Sequence, residues 1–153
     1  MSDNLLRAIA LTFNGHWQTD VVEWLSEAQA FSAREAADFK AFRKDASPEA
    51  VDKHLAKERG CRISSFPEYS ALVELHLVAN AVRHGPGASL TKLWMKHPEL
   101  WRGHHEFIRL RPWYLTEDEP TNHFAVSEDD IGRYERAVTM FWTRIASAGL
   151  GGR

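Results

Sequence analysis

Hydrophobic positions along this chain recur at helical rather than strand spacing. Leu5, Leu6, Ile9, Thr12 and Phe13 give a helical pattern, and Asn14-Gly15 is a turn signal, so the pattern predicts a short first helix ending there. Trp17, Val21, Trp24, Leu25, Ala28 and Phe31 carry a longer helix, and Phe39 and Phe42 extend the apolar pattern to about Lys44. Ser47-Pro48-Glu49 reads as a helix start and Gly60 as its stop. Ser65-Phe66-Pro67-Glu68 reads as a capping box for the central helix, and Ser89 as the cap of a short helix through Lys96, closed before Pro98. The stretch from Trp101 to Tyr114 fits either an extended or a helical conformation, and Thr116 to Asn122 reads as a loop. Ser127 to Asp130 forms a second capping box, with Val126 and Ile131 placed as a hydrophobic staple. It launches Ile131, Tyr134, Val138, Phe141, Trp142 and Ile145 along one stripe, ended by Gly149. No internal repeat, low-complexity tract or linker divides residues 1–153, so the expected fold is all-α, a single-domain bundle of five or six helices.

The central helix, Ala71 to His84, is apolar on most sides yet carries a polar seam. At about 100° per residue, with His76 at zero, Arg83 falls near about −20°, Asn80 near about 40° and His84 near about 80°. All four share one face, and Glu74 lies about 160° from His76. A helix greasy on most sides is normally buried, so the groups that interrupt it need partners or a purpose.

Composition narrows the classes. With 44% hydrophobic and 11% aromatic residues, six of them Trp, the chain of 153 residues has the makings of a real core, and the Trp are expected in core or interface. No apolar run approaches the length that spans a bilayer, so no membrane partner is expected. The opening Met1 to Arg7 lacks the features of a signal peptide, and the one cysteine, Cys61, has no internal disulfide partner and no nucleophile signature around it. A cytoplasmic location is therefore expected. The formal net charge of −2 argues against a whole surface built for nucleic acid. Local patches remain. Arg102, His104, His105, Arg109 and Arg111 interleave with Trp101, Phe107, Trp113 and Tyr114, a combination that holds phosphates and stacks bases. The same segment also reads as a core edge whose Arg pair with the acids between Leu115 and Asp130. His16, His54, His97 and His123 have mostly polar neighbours and are expected at the surface. No nucleotide-binding glycine fingerprint, nucleophile elbow or paired-Cys motif occurs.

Three readings compete for the seam. In the first, His76 and Asn80 hydrogen-bond inside the fold while Arg83 and His84 complement the helix C-terminus. In the second the seam holds a metal, but His76 and His84 lie two turns apart, about 12 Å along the axis, with no carboxylate on their face, so no metal or other cofactor is expected.

The third reading comes from resemblance. Asn80-Ala81-Val82-Arg83-His84 is similar to the Asn-x-x-x-His part of the motif of HEPN domains, small all-α domains in which an Arg-Asn-x-x-x-His stretch lies near the end of a helix. The wider pattern, an apolar helix ending in Asn-x-x-Arg-His-Gly and a last helix with Phe-Trp, also resembles uncharacterised bacterial proteins. The HEPN resemblance implies metal-independent RNA cleavage or a degenerate defence or toxin–antitoxin module, with two copies paired in a dimer. The family's Arg falls on Ala79 here, and Arg83, one turn later, is the residue able to supply a guanidinium in its place. Asn80, Arg83 and His84 are then the catalytic candidates, with His76, Arg102, His104, His105, Arg109 and Arg111 as substrate-binding candidates and RNA as partner. The alternative is a non-catalytic helical module that binds a protein partner through the aromatic-rich segment.

Overall fold

The computed structural model describes residues 2–27, 39–40, 42–101 and 124–150. Over these residues the protein is all-α, as the periodicity predicts, with five α-helices and no strand. The helices are α1 (Asp3–Glu27), α2 (Pro48–Arg59), α3 (Tyr69–His84), α4 (Ala88–Lys96) and α5 (Glu128–Ser147), with single 3-10 turns at Ile63–Ser65 and Pro98–Leu100. No helix among the described residues is long and apolar enough to cross a membrane. The chain divides into two compact units, Met1–Asn14 with Glu74–Glu135 and Gly15–Val73 with Arg136–Arg153, so α1, α3 and α5 each lend a segment to both.

The unit of residues 15–73 and 136–153 has an aromatic and aliphatic core. Trp17 meets Phe141 edge-on at 5.5 Å and Trp24 meets Trp142 edge-on at 5.8 Å, joining the two stripes read from the sequence. Val21, Leu25, Val51, Leu55, Ile63, Leu72 and Ile145 complete the core, all buried. Ser47 caps α2 by accepting from the Ala50 N–H at 3.2 Å, and Pro48 opens the helix. Both helix stops read as glycine are left-handed: Gly60 at φ 63° and Gly149 at φ 69°. The residue after each donates back to the helix, Cys61 to Leu55 O at 3.2 Å and Leu150 to Ile145 O at 3.1 Å. Cys61 and Leu150 also pack on the core, the hydrophobic contact that accompanies such caps.

In the unit of residues 1–14 and 74–135 the capping box of α5 forms as read. Ser127 Oγ accepts from the Asp130 N–H at 3.2 Å, and Asp130 Oδ2 accepts from the Ser127 N–H at 2.8 Å. The segment before it is tied to α1. The Arg7 guanidinium donates to Phe124 O, lies 4.6 Å from the Phe124 ring centroid and pairs with Asp3 at 2.8 Å. Trp101 is fully buried, edge-on to Trp94 at 5.3 Å.

Three local expectations are corrected. Asn14-Gly15 does not end a helix, because α1 runs unbroken from Asp3 to Glu27. One helical glycine costs only about 1 kcal/mol, a weak preference that burial of α1 overrides; Asn14 is itself buried. The Ser65–Glu68 box does not form. Ser65 Oγ donates to Arg62 O at 2.7 Å, and Glu68 instead accepts two bonds from Arg144, at 2.8 and 3.1 Å, a bidentate charge-assisted pair that outweighs a single cap bond. Ser89 is not a cap, since α4 starts one residue earlier and its N-cap is Gly87. The expectations for residues 28–38, for 102–114 and for the loop at 116–122 lie outside the described residues.

Candidate functional site

The polar seam of α3 splits in two. Every residue from Ala71 to Ala79 is buried, so His76 is an interior group with 8% of its surface exposed. The Asn80 side-chain amide nitrogen, one turn further on, lies 3.0 Å from His76 Nε2. An amide nitrogen only donates, so Nε2 accepts. Asn80 is half-buried, whereas Arg83 and His84 on the last turn are exposed. Gly85, left-handed at φ 68°, closes the helix with its N–H donating to Ala81 O at 2.9 Å. Among the described residues, no hydrogen bond or ion pair ties down the Arg83 or His84 side chain, and both stand where the helix dipole favours cations. The structure thus brings His76 and Asn80 together and leaves Arg83 and His84 open to ligands. His76, a substrate-binding candidate in the sequence, is a buried partner of Asn80, as the first reading of the seam has it. Ala79, where the resembled motif carries Arg, is fully buried.

The most highly bonded polar group lies elsewhere on α3. Glu74, only 2% exposed, accepts from Arg133 twice, at 2.7 Å on Oε2 and 2.5 Å on Oε1. Oε1 also accepts from the Tyr134 hydroxyl at 2.7 Å, and Oε2 lies 3.1 Å from His97 Nδ1. Three hydrogen bonds reach this carboxylate and His97 Nδ1 stands beside it, so its burial is well compensated. Burial and the adjacent Glu74 charge push the Tyr134 hydroxyl far above its ordinary pKa, which keeps it a donor. The hydrogen bonds to Glu74 raise Arg133 in the same way, against a smaller desolvation penalty. Asp130, the capping residue of α5, adds a contact to Arg133 at 3.3 Å. His97 Nδ1 also lies 3.2 Å from Glu99 Oε1.

This network joins α3, the segment just after α4 and the first two turns of α5 within one unit. Its angle on the helix sets Glu74 opposite the seam, which leaves the seam without a carboxylate and says nothing of the partners of Glu74 itself. The signal was present nonetheless, as a lone acid inside an apolar helix requires a cationic partner. Two histidines expected at the surface are corrected for similar reasons. His97 has a side chain 16% exposed, held by carboxylates, and His54 stacks on Phe42 with ring centroids 5.1 Å apart. His16 is exposed as expected. Arg102, His104, His105, Arg109 and Arg111 lie outside the described residues, as does His123.

Among the described residues, Glu74, His97 and Glu99 form the one group of three metal-type ligands, their donor atoms all within 4.8 Å of one another. Compared with protein-family models, with curated proteins and with solved structures, the chain finds no match.

Proposed function

We propose that this chain is a HEPN-like helical module directed at RNA, in which Arg83 and His84 engage the phosphodiester beside Asn80. The observation that supports the reading is the exposure of Arg83 and His84 on the last turn of a helix whose preceding turns are buried. A rigid scaffold with an open polar end suits a site that must hold a reacting group in place.

The chemistry that fits is metal-independent cleavage. The 2′-oxygen of a ribose bonds to the neighbouring phosphorus, the 5′-oxygen departs, and a 2′,3′-cyclic phosphate and a 5′-hydroxyl remain. Imidazole is the side chain whose ordinary titration range suits moving the two protons involved, and a guanidinium fork matches the charged phosphorane. His84 takes the first role and Arg83 the second, replacing the guanidinium that buried Ala79 does not provide. A second copy of the chain bringing a second Arg83–His84 pair, a cytoplasmic location and a defence or toxin–antitoxin setting belong to the same reading.

Fluorescence anisotropy with a labelled RNA at several salt concentrations tests the phosphate contact. Arg83→Ala is expected to weaken binding across sequences and to reduce the log–log salt slope by about 1. Unchanged affinity and slope would remove Arg83 from the site. A second reading, a non-catalytic protein-interaction module, draws support from the His76–Asn80 bond, which commits the inner half of the seam to the fold. Under that reading RNA affinity is negligible in wild type and variant alike.

A further inference from the structure

We infer that Glu74, His97 and Glu99 form a binding site for one divalent cation of borderline softness, with zinc as the type case. The donor set is one imidazole nitrogen and two carboxylate oxygens on two separate elements, a mixture that suits Zn²⁺ better than the all-oxygen sets of Ca²⁺ or Mg²⁺. Its spacing fits. His97 Nδ1 lies 3.1 Å from Glu74 Oε2 and 3.2 Å from Glu99 Oε1. Two tetrahedral ligands on a metal with bonds of about 2.1 Å stand about 3.4 Å apart, a few tenths of an ångström beyond these separations.

Charge points the same way. The groups bonded in this network, Glu74, Glu99 and Asp130 against Arg133, carry two uncompensated negative charges while the imidazole is neutral. One ring nitrogen, Nδ1, faces both Glu74 and Glu99. A cation there takes the Nδ1 lone pair and one oxygen of each carboxylate, which requires the ring proton on Nε2. Arg133 and Tyr134 keep their bonds to Glu74 and fix its orientation, as outer partners of metal ligands commonly do. The nearby guanidinium lowers the affinity below that of an all-anionic site without occupying the shared position. Glu99, with a side chain 64% exposed, and His97 at 16% give the ion a path from solvent. The site is separate from the Arg83–His84 pair, because Glu74 precedes His84 by ten residues, about 15 Å along α3.

Isothermal titration of the purified, chelator-stripped full chain with Zn²⁺, without RNA, tests this, paired with melting curves with and without the metal. Wild type is expected to bind one equivalent and to melt higher with zinc. Glu99→Gln, at an exposed position, is expected to keep the metal-free melting temperature and to lose zinc affinity by about tenfold or more, and His97→Gln to lose zinc affinity by a similar factor. Absence of zinc binding by wild type overturns the site. So does a loss smaller than about tenfold in both variants, which would assign the zinc to other side chains.

Discussion

Single residues already separate helix interior from helix end. Gly15 sits inside α1 with open space where a Cβ would go, whereas Gly149 occupies the left-handed region at φ 69°. Gly15→Ala is therefore expected to stabilise by about 0.5–1 kcal/mol, and Gly149→Ala to destabilise by about 1–2 kcal/mol. Urea unfolding of the two variants checks both signs. The contrast also explains why a sequence reading places the two glycines alike. Both look like stops, but only the chain around Gly149 has lost its apolar periodicity. Tyr134 is the second informative residue, fully buried with its hydroxyl on Glu74. Tyr134→Phe keeps the ring and strips one donor from a buried carboxylate, a loss of roughly 1.5–3 kcal/mol measurable in the same assay.

At the scale of elements, α3 is legible as a buried helix because its apolar residues leave few polar interruptions. The stripes of α1 and α5 are legible because Trp17, Trp24, Phe141 and Trp142 repeat at helical spacing and then meet in the structure. Partner choice is not legible. Glu68 reads locally as a capping residue but serves as the distant acceptor of Arg144, and one-dimensional pattern sees only the first. Glu74 shows the same limit, since Arg133 and Tyr134 lie 59 and 60 residues away in sequence. Arg133→Met leaves the Glu74 carboxylate buried with two of its three hydrogen bonds gone. It is expected to cost roughly 2–4 kcal/mol, tempered by the partial exposure of Arg133, and the further change Glu74→Leu is expected to recover most of that loss. A double-mutant cycle by chemical denaturation reads the coupling, and additive losses would contradict a shared network.

For the whole molecule, stability responds to acid through the half-buried His54. Burial holds the His54 imidazole below its ordinary 6.5, partly opposed by Glu58. Because the unfolded chain takes up this proton first, the contribution is fully present above about pH 6.5 and is lost as pH falls below that, toward the folded value. His54→Phe, which preserves stacking on Phe42, is expected to flatten the fall in stability between about pH 7 and about pH 5. At Asp52, burial pushes the carboxyl up, but hydrogen bonds from Ser64 and Arg62 hold it net below its ordinary 3.8, so its contribution persists above that value and is lost only in stronger acid. Neither group belongs to the proposed RNA site, in which Arg83 and His84 are exposed. That separation of fold from site is the core of the functional account. The most direct measurement is cleavage of end-labelled RNA by purified protein in EDTA, comparing wild type with His84→Ala at matched melting temperature. The account predicts cyclic-phosphate ends from wild type and none from the variant. Equal cleavage by both, or no cleavage by folded wild type, would contradict it.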